Sequence, residues 1–387
     1  MKNNKETFYN KLQKHSWDDI KKRTQDYTEK EVIEALNHSK PTIDHFGALI
    51  SKAALPYLEE MAYLSQQKTQ QRFGKTMQLY IPMYLSNYCS NGCIYCGFNA
   101  KNDIPRKRLD VQEITEEADH ILKLGIRNLL LVTGEDNRNF STKDLVHAVK
   151  ILVPLFDQIS IEVQPMSIED YKTLNEAGVH SVYVYQETYN ELIYPDYHPF
   201  GQKRKFQYRL ETPERIAEAG IHKVGLGVLL GLDDWRTEAI LLAGHLHYLE
   251  KHYWKTVYSL SFPRLRPNEG HFEPKNPISD TELLQLICAF RIYNPFVELA
   301  LSTRESAFFR DHLISLGITS MSAGSKTEPG GYSHEDKALK QFEIEDSRTV
   351  DEVVKSIQQA GYEAVWKDWD HILSATTQKK ETYASIR

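Results

Sequence analysis

Three of the four cysteines lie close together, as Cys89, Cys93 and Cys96 in a C-x₃-C-x₂-C pattern. Three closely spaced thiolates can ligate three irons of a [4Fe–4S] cluster, whereas a cluster used only for electron transfer normally has four cysteine ligands. The fourth iron then stays open to a small-molecule ligand, and an open coordination position makes a metal site reactive rather than structural. The pattern therefore predicts a catalytic iron–sulfur site.

A zinc site is the alternative interpretation of the same cysteines. Structural zinc takes four ligands, commonly as two C-x₂-C pairs, and the sequence contains no second pair of this kind. Cys288 lies in an apolar run that begins at Leu283, where we expect it to be a small buried side chain. The ligand count favours iron–sulfur, and a non-catalytic zinc-binding scaffold stays open as a second hypothesis.

The composition is that of a folded, mildly acidic protein of 387 residues. Lys and Arg number 47 against 53 Asp and Glu, a net charge of −6, with 41% hydrophobic and 26% charged residues. A nucleic-acid-binding surface needs clustered basic residues, and a membrane span needs about 18 consecutive apolar residues. The N-terminus also lacks the apolar region of a secretory signal. We expect a cytoplasmic protein that binds neither nucleic acid nor membrane.

The elements that must position the cysteines follow a β/α alternation. Apolar residues alternate from Met77 to Leu85, which predicts a first strand that ends just before the cysteines. Amphipathic helical stretches separate seven further strand candidates. These candidates are residues 129–132, 158–163, 180–185, 223–230, 255–261, 296–301 and 317–321. Eight strands favour an α/β fold of the (β/α)₈ TIM-barrel type, with an open doubly wound sheet as the alternative.

The chain divides into three predicted segments. Residues 1–75 form an N-terminal helical extension, with a capping-box pattern from Thr28 to Glu31. Residues 76–325 form the barrel, and residues 326–387 form a C-terminal loop and helical tail that packs on it, with Trp366 and Trp369 near its end. The cysteines follow the carboxyl end of the first strand, and catalytic loops of β/α barrels gather at that face.

Cys89, Cys93 and Cys96, with Tyr95 just before the last cysteine, resemble the signature of the radical S-adenosylmethionine (radical SAM) superfamily. The resemblance implies a [4Fe–4S] cluster whose free iron binds the amino and carboxylate groups of SAM. Reductive cleavage of the sulfonium then yields methionine and a 5′-deoxyadenosyl radical. By the same resemblance, Tyr95 packs near the adenine.

Further residues resemble the SAM-binding elements of that superfamily. Gly134 and Glu135 end the second strand and resemble a Gly-Gly-Glu element that binds the SAM amino group, although Thr133 replaces its first glycine. Glu162 ends the third strand, where a carboxylate can meet the ribose hydroxyls. Arg209 is a candidate for binding the SAM carboxylate.

Gly225 and Gly227 resemble the superfamily's strand-five glycine motif beside the adenine. More widely, residues 75–335 are similar to the aromatic amino-acid lyase branch, and most of all to its tyrosine lyases. The similar stretches are 96–98 (CGF), 186–189 (QETY), 198–199 (HP), 227–232 (GVLLGL), 261–267 (SFPRLRP), 302–305 (STRE) and 321–325 (MSAGS). A hydrogenase-maturation relative in this branch carries an additional C-terminal cysteine motif, and no cysteine follows Cys288 here.

This resemblance implies hydrogen abstraction from L-tyrosine and cleavage of its Cα–Cβ bond, which gives p-cresol and 2-iminoacetate (dehydroglycine) for thiamine thiazole synthesis. It also implies a flavodoxin or ferredoxin as reductant and a thiazole synthase subunit (ThiG-like) as the recipient of 2-iminoacetate. Tryptophan or another aromatic substrate stays open, because pocket shape rather than a motif separates the substrates.

Arg304, just beyond the seventh predicted strand, is the candidate clamp for the amino-acid carboxylate. A guanidinium binds a carboxylate through two parallel hydrogen bonds. Ser322, after the eighth strand, can add a hydroxyl to the same anchor. The alternative for Arg304 is an ion pair with Glu305 or Glu298.

Two other groups of basic residues have weaker claims. Arg264 and Arg266, after the sixth strand, bind anionic groups of SAM or substrate or else are surface arginines, and the sequence favours neither. The short run 203–205 (KRK) is expected to be solvated loop.

Overall fold

The computed structural model describes residues 6–266, 272–334 and 340–366. The predicted tail beyond Trp366, including Trp369, lies outside the described residues. Within the described ranges the chain forms a closed parallel barrel with helices around it, and the prediction of a TIM-type barrel is confirmed.

Eight strands form the barrel, and the first strand closes it by pairing with both the second and the eighth. The strands are β1 (Thr76–Ser86), β2 (Asn128–Thr133), β3 (Gln158–Glu162), β4 (Val179–Tyr183), β5 (Lys223–Gly227), β6 (Val257–Ser261), β7 (Glu298–Leu301) and β8 (Ser320–Ser322). β2 is buried on both faces, as a parallel strand between the barrel interior and the helices should be. All eight carboxyl ends therefore meet at one face of the barrel, here called the mouth.

Fifteen α-helices lie in the described part of the chain. They are α1 (Phe8–Leu12), α2 (Trp17–Asp26), α3 (Glu29–Asn37), α4 (Ile43–Leu49), α5 (Leu58–Phe73), α6 (Val111–Lys123), α7 (Thr142–Leu152), α8 (Ile168–Ala177), α9 (Tyr194–Tyr197), α10 (Phe206–Leu210), α11 (Thr212–Glu218), α12 (Trp235–His252), α13 (Asp280–Tyr293), α14 (Ala307–Leu313) and α15 (Val350–Gln359). None of these helices combines the length and the apolar character needed to cross a membrane.

The N-terminal helices α2, α4 and α5 pack against the outer helices α12 and α13, and α3 packs against α4. The predicted capping box at α3 is confirmed, because Thr28 and Glu31 satisfy each other's backbone N–H groups. Phe46 packs its ring against Phe290 at 4.5 Å between centroids. Gln285 on α13 also donates hydrogen bonds to two carbonyls that follow α4, at 2.9 and 2.8 Å. The extension therefore belongs to the helical layer on that side of the barrel.

A ninth strand, β9 (Glu363–Val365), was not predicted from the sequence. It follows α15 and pairs in parallel with the first residues of β1, where Met77 lies opposite Ala364. Only three residues long, it carries no periodic pattern that distinguishes a strand from a loop. Its pairing places it at the amino-terminal end of β1, the end opposite to the cysteines.

Candidate active site

A cavity opens at the barrel mouth and contains about 180 Å³ of space that the centre of a water molecule can occupy. This is room for far more than a single bound water. Residues at or after the carboxyl ends of all eight barrel strands contribute to its wall, including all three clustered cysteines. The site residues predicted from the sequence that line it are Cys89, Cys93, Tyr95, Cys96, Gly134, Glu135, Glu162, Arg209, Arg304 and Ser322.

The cysteine loop, residues 87–102, follows β1 and has almost no regular structure. Arg106 holds it by donating to the carbonyls of Asn87, Phe98, Asn99 and Asn102, at 2.7 to 3.2 Å. One planar guanidinium thus satisfies backbone acceptors from both ends of the loop. The loop is therefore fixed without help from any metal.

A second loop backs the cysteines from the side of β4. The N–H groups of Gly92 and Ile94 donate to the carbonyls of Phe200 and Tyr197, both at 3.2 Å. Gly92 also lies against the ring of Phe200 so closely that a Cβ would sit 2.2 Å from it. Glycine is therefore required inside the cysteine motif for packing rather than for ligation.

Burial raises the pKa of all three thiols, and that of Cys89 reaches about 11. The positive charge of Lys203 opposes this effect at Cys93 and Cys96. Thiols with raised pKa values hold their protons near pH 7, and binding of iron must displace those protons. Cys93 is buried, Cys89 and Cys96 are partly exposed, and all three line one cavity, with Lys203 near Cys93 and Cys96. This arrangement fits ligands of an iron–sulfur cluster.

A single metal ion fits the described residues less well. Among them, no group of three or more His, Cys, Asp or Glu side chains is arranged to hold one ion. Zinc requires its sulfur ligands to converge at about 2.3 Å from one centre, whereas three cysteines on a cubane bind three different irons. The zinc hypothesis therefore loses its geometric support.

Beside the cysteines, Glu135 and Arg209 form a buried ion pair at 2.8 Å. Burial would raise the pKa of Glu135, but the charges of Arg209 and Lys203 outweigh it, and the pKa is lowered. Asn91, inside the cysteine motif, donates to the same carboxylate at 2.8 Å. The carboxylate of Glu135 is therefore ionised and fixed.

Lys203 and Glu187 lie beside the Glu135–Arg209 pair, and neither was predicted from the sequence as a site residue. Lys203 was expected in a solvated loop, and this expectation is wrong, because its side chain is only 11% exposed and pairs with Glu187 at 2.7 Å. Glu187 has a φ of 71°, and no other non-glycine residue of the described ranges has a positive φ. Such strain persists where surrounding contacts enforce it, often at functional sites.

Gly134 and Tyr95 border the cavity next to the cysteines. A Cβ on Gly134 would lie 2.3 Å from the carbonyl oxygen of Tyr88, so only glycine fits between β2 and the cysteine loop. The ring of Tyr95 is buried, and its hydroxyl hydrogen-bonds with His198 Nε2 at 2.7 Å. Burial lowers the pKa of His198 well below its usual range, so the imidazole is neutral.

Gly225 and Gly227 are not part of the cavity wall. A Cβ at Gly225 would lie 1.9 Å from the ring of Tyr183, and one at Gly227 would lie 2.5 Å from the carbonyl oxygen of Ser261. These glycines let the rings of Tyr183 and Tyr185 lie across β5, and those two rings line the cavity. Contact of the glycines with adenine stays a prediction.

Glu162 lies in the cavity with no hydrogen-bonding or ionic partner in the described part of the chain. Burial, followed by the negative charge of Glu187, raises its pKa to about 7. Tyr80, Tyr84 and Tyr183 are close enough for the carboxylate to raise their pKa values further. A carboxyl group in this state is available to a bound molecule.

Arg304 also lacks a carboxylate partner among the described residues. Glu305 instead binds Arg264 and Arg266, and Glu298 binds Lys223, so the predicted alternative pairing of Arg304 is not formed. Burial lowers the pKa of Arg304, with Tyr84 and Glu162 opposing. A guanidinium stays charged even so. The structure therefore presents an uncompensated cation in the cavity wall.

Ser322 lies near Arg304 through Thr303, whose N–H donates to Ser322 Oγ at 3.1 Å. Ser322 also lies near the hydroxyl of Tyr80, where it opposes the rise that burial causes in the pKa of Tyr80. Arg264 and Arg266 lie outside the wall of this cavity and pair with Glu305.

Two sequence families match the chain. The model of the Radical SAM superfamily matches residues 83–243, which contain the cysteine loop, and that of the Biotin and Thiamin Synthesis associated domain matches residues 261–363. Together they cover both the cysteine side and the Arg304 side of the cavity.

Individual relatives extend over nearly the whole chain. The 2-iminoacetate synthase of Salmonella typhimurium (strain LT2) is 46% identical over 375 residues, which are 97% of this chain and 100% of that protein. The 2-iminoacetate synthase of Escherichia coli K12 is 45% identical over 374 residues, 96% of this chain and 99% of that protein. The crystal structure of HydG, a maturase of the [FeFe]-hydrogenase, aligns with a TM-score of 0.88 at 30% identity, covering 97% of this chain and 83% of that chain.

Proposed function

Because the chain belongs to the family of radical SAM 2-iminoacetate synthases, we infer that its barrel mouth is the active site of a carbon–carbon lyase. The enzyme cleaves the Cα–Cβ bond of L-tyrosine to 2-iminoacetate and p-cresol. In total, two electrons from a reductant and one proton are consumed as SAM is converted to methionine and 5′-deoxyadenosine. The product 2-iminoacetate serves the thiazole branch of thiamine synthesis. One observation carries the assignment: the three cysteines and the unpaired Arg304 line the same cavity.

The cysteine side of the cavity is proposed to hold the cofactors. Cys89, Cys93 and Cys96 would hold three irons of the [4Fe–4S] cluster. When bound there, the cluster and SAM supply a 5′-deoxyadenosyl radical by reductive cleavage of the sulfonium. Lys203 adds positive charge near Cys93 and Cys96, which stabilises the anionic thiolates.

Other residues of that side are proposed to orient SAM. Gly134 and Glu135 would receive its amino group, and the ionised state of Glu135 suits a cationic partner. Arg209 would meet its carboxylate, and Glu162 the ribose hydroxyls. Tyr95 offers a fixed ring face for the adenine. Gly225 and Gly227, by making room for two tyrosine rings, would shape the same subsite from behind.

Arg304 and Ser322 are proposed to fix the carboxylate of tyrosine. A bidentate Arg–carboxylate pair sets both position and orientation, which near-attack geometry requires. The enclosing tyrosine rings and Leu229 keep water away from reactive intermediates. Tyrosine enters as a zwitterion, and its carboxylate would neutralise the one uncompensated cation of the wall.

The remaining partners are also proposals. A low-potential flavodoxin or ferredoxin would supply the two electrons, one at a time. A thiazole synthase subunit (ThiG-like) would receive 2-iminoacetate, because this imine hydrolyses if it is released into water. We place the protein in the cytoplasm, since three free thiols awaiting iron require a reducing compartment.

The test is anaerobic reconstitution with iron and sulfide, followed by SAM, dithionite and either L-tyrosine or L-tryptophan. We expect p-cresol and 5′-deoxyadenosine with tyrosine, and no indole-derived cleavage product with tryptophan. Reactions without SAM or without dithionite are the controls and should yield neither product. Cleavage of tryptophan in preference to tyrosine would reassign the substrate.

A further inference from the structure

Residues 340–346, here called the strap, cross the barrel mouth between the cysteine loop and the loop after β7. At one end the N–H of Gln341 donates to the carbonyl of Thr327 at 3.0 Å, and the carbonyl of Gln341 accepts from the N–H of Gly97 at 3.1 Å. A Cβ on Gly97 would lie 2.5 Å from that carbonyl oxygen. The strap therefore touches the backbone of the cysteine loop directly.

The side chain of Gln341 makes two contacts inside the cavity. Its Oε1 accepts from the hydroxyl of Tyr84 at 2.8 Å, and its Nε2 lies 3.8 Å from Cys96 Sγ, within reach of a weak N–H···S hydrogen bond. These two contacts fix the start of the strap relative to the third cysteine.

The next residue, Phe342, contacts the proposed substrate clamp. The guanidinium carbon of Arg304 lies 3.4 Å from the centre of the Phe342 ring, so the cation rests on the face of the ring. Among the described residues, the only hydrogen bond of this guanidinium is a long one of 3.5 Å to the carbonyl of Arg264. The ring of Phe342 is thus the main support of the Arg304 side chain.

The other end of the strap is pinned beside the same clamp. The N–H groups of Glu345 and Asp346 both donate to the carbonyl of Thr303, the residue before Arg304, at 3.0 and 3.1 Å. Arg310 is fully buried and binds both the Asp346 carboxylate and the carbonyl of Ser322. Both residues proposed to bind the tyrosine carboxylate are therefore linked to the strap.

We propose that Phe342 is a positioning residue for tyrosine binding, which holds the Arg304 guanidinium in the plane that receives the substrate carboxylate. The strap connects this clamp to the cysteine loop, so the amino acid and the cofactor side keep a fixed separation. The inference rests on the proposed role of Arg304 and adds a residue that acts through it. Near-attack geometry requires such control, because small displacements of the substrate lower the rate steeply.

Phe342 is only half-buried, so its replacement should leave the fold intact. The variants are Phe342→Leu, which keeps apolar bulk without a π face, and Phe342→Trp, which keeps the π face. Each is made with Arg304 intact and with Arg304→Gln. The quantity measured is the dissociation constant of L-tyrosine for the reconstituted enzyme with SAM and without reductant, by calorimetry. Iron content and thermal unfolding of every variant check that cluster and fold persist.

With Arg304 intact, Phe342→Leu should weaken tyrosine binding by about tenfold, while Phe342→Trp stays within about twofold of wild type. In the Arg304→Gln background, Phe342→Leu should cause no further loss, because a residue that acts through Arg304 has nothing left to position. The SAM affinity should be the same in all variants.

Equal weakening by Phe342→Leu in both backgrounds would overturn the proposal, since Phe342 would then contact the substrate itself or act on the fold. Unchanged binding in Phe342→Leu would overturn it as well. Failure of the proposed function gives a different result from failure of the Phe342 proposal, because the wild-type enzyme itself would then form no p-cresol from tyrosine. An active wild type with an unaffected Phe342→Leu variant refutes only the positioning role.

Discussion

The mouth and the floor of the barrel both bury charged side chains, but they treat them differently. At the floor, where the strands begin, Lys223 Nζ lies 2.8 Å from Glu298 Oε1, with side-chain exposures of 2% and 16%. The mouth also contains ion pairs, Glu135 with Arg209 and Lys203 with Glu187. Unlike the floor, however, it also holds two charged groups, Glu162 and Arg304, that form no ion pair with any described residue.

This difference separates stability from function within one barrel. A buried ion pair compensates most of the cost of removing two charges from water, and it fills space that no ligand enters. Uncompensated buried groups destabilise the protein unless a ligand supplies the missing partner. The mouth is therefore suited to bind a charged molecule, whereas the charges at the floor already compensate each other.

The largest expected effect comes from substituting a cysteine at the barrel mouth. Cys93→Ser should abolish formation of p-cresol and 5′-deoxyadenosine, because the oxygen ligand cannot replace a thiolate on the cluster. The matched control is Cys288→Ala, which removes the buried cysteine of α13 and should keep activity. Both variants are compared with wild type by their iron content and by the products formed after reconstitution. Full activity of Cys93→Ser would refute the cysteine assignment.

A substitution at the floor should lower the stability of the protein rather than its catalytic activity. Lys223→Met leaves Glu298 buried without its main cationic partner, and we expect a loss of about 3–5 kcal/mol in the free energy of unfolding. Urea unfolding measures this loss. The double variant Lys223→Met/Glu298→Leu should recover much of it, because it removes both charges. A raised KM for tyrosine in folded Lys223→Met enzyme would contradict the separation of floor from mouth.

Arg304, the proposed clamp of the tyrosine carboxylate, gives the next effect. Arg304→Gln should lower kcat/KM for tyrosine by about 100-fold, since it removes a charge-assisted bidentate partner. Arg304→Lys keeps the positive charge but lacks the planar guanidinium. Its kcat/KM for tyrosine should therefore lie between the values of wild type and Arg304→Gln. Steady-state kinetics with tyrosine varied at saturating SAM give the values. An equal loss of SAM affinity would show instead that Arg304 binds the cofactor.

The smallest effect concerns Glu162. Burial raises its pKa from the ordinary 4.5 to about 7, so between these values the folded protein holds a proton that the unfolded chain releases. The free energy of unfolding therefore falls as the pH rises through this window. Glu162→Gln removes that penalty, and the variant should exceed wild type by about 1–3 kcal/mol at pH 8, with a smaller difference at pH 5.

Urea unfolding of both proteins at the two pH values measures this difference, and other titrating groups cancel in the comparison. A variant advantage that is equal at pH 5 and pH 8 would show that Glu162 is ionised in both conditions. Its carboxyl would then have a partner that the cavity geometry does not reveal.

The sequence sufficed for the barrel because its signals are local. The alternation in β1 and the apolar run 129–132 of β2 each appear within a few residues, and the cysteine motif is contiguous. The position of Arg304 in the cavity wall could be predicted for the same reason, because a residue that directly follows a barrel strand lies at the mouth.

What the sequence did not reveal depends on distant parts of the chain. Lys203 is buried because Glu187 and the cysteine loop meet around it, and its own neighbours look like solvated loop. Gln341 and Phe342 have ordinary local surroundings, and their importance comes from Cys96 and Arg304 at the far side of the sequence. Strand β9 is three residues long, too short for a period to be visible.

The most direct test of a single shared cavity is an anaerobic crystal structure of the reconstituted enzyme with SAM and L-tyrosine. We expect a [4Fe–4S] cluster on Cys89, Cys93 and Cys96, with the tyrosine carboxylate within hydrogen-bonding distance of the Arg304 guanidinium. Electron density for tyrosine outside this cavity, or a carboxylate bound by other residues with Arg304 left unpaired, would contradict it.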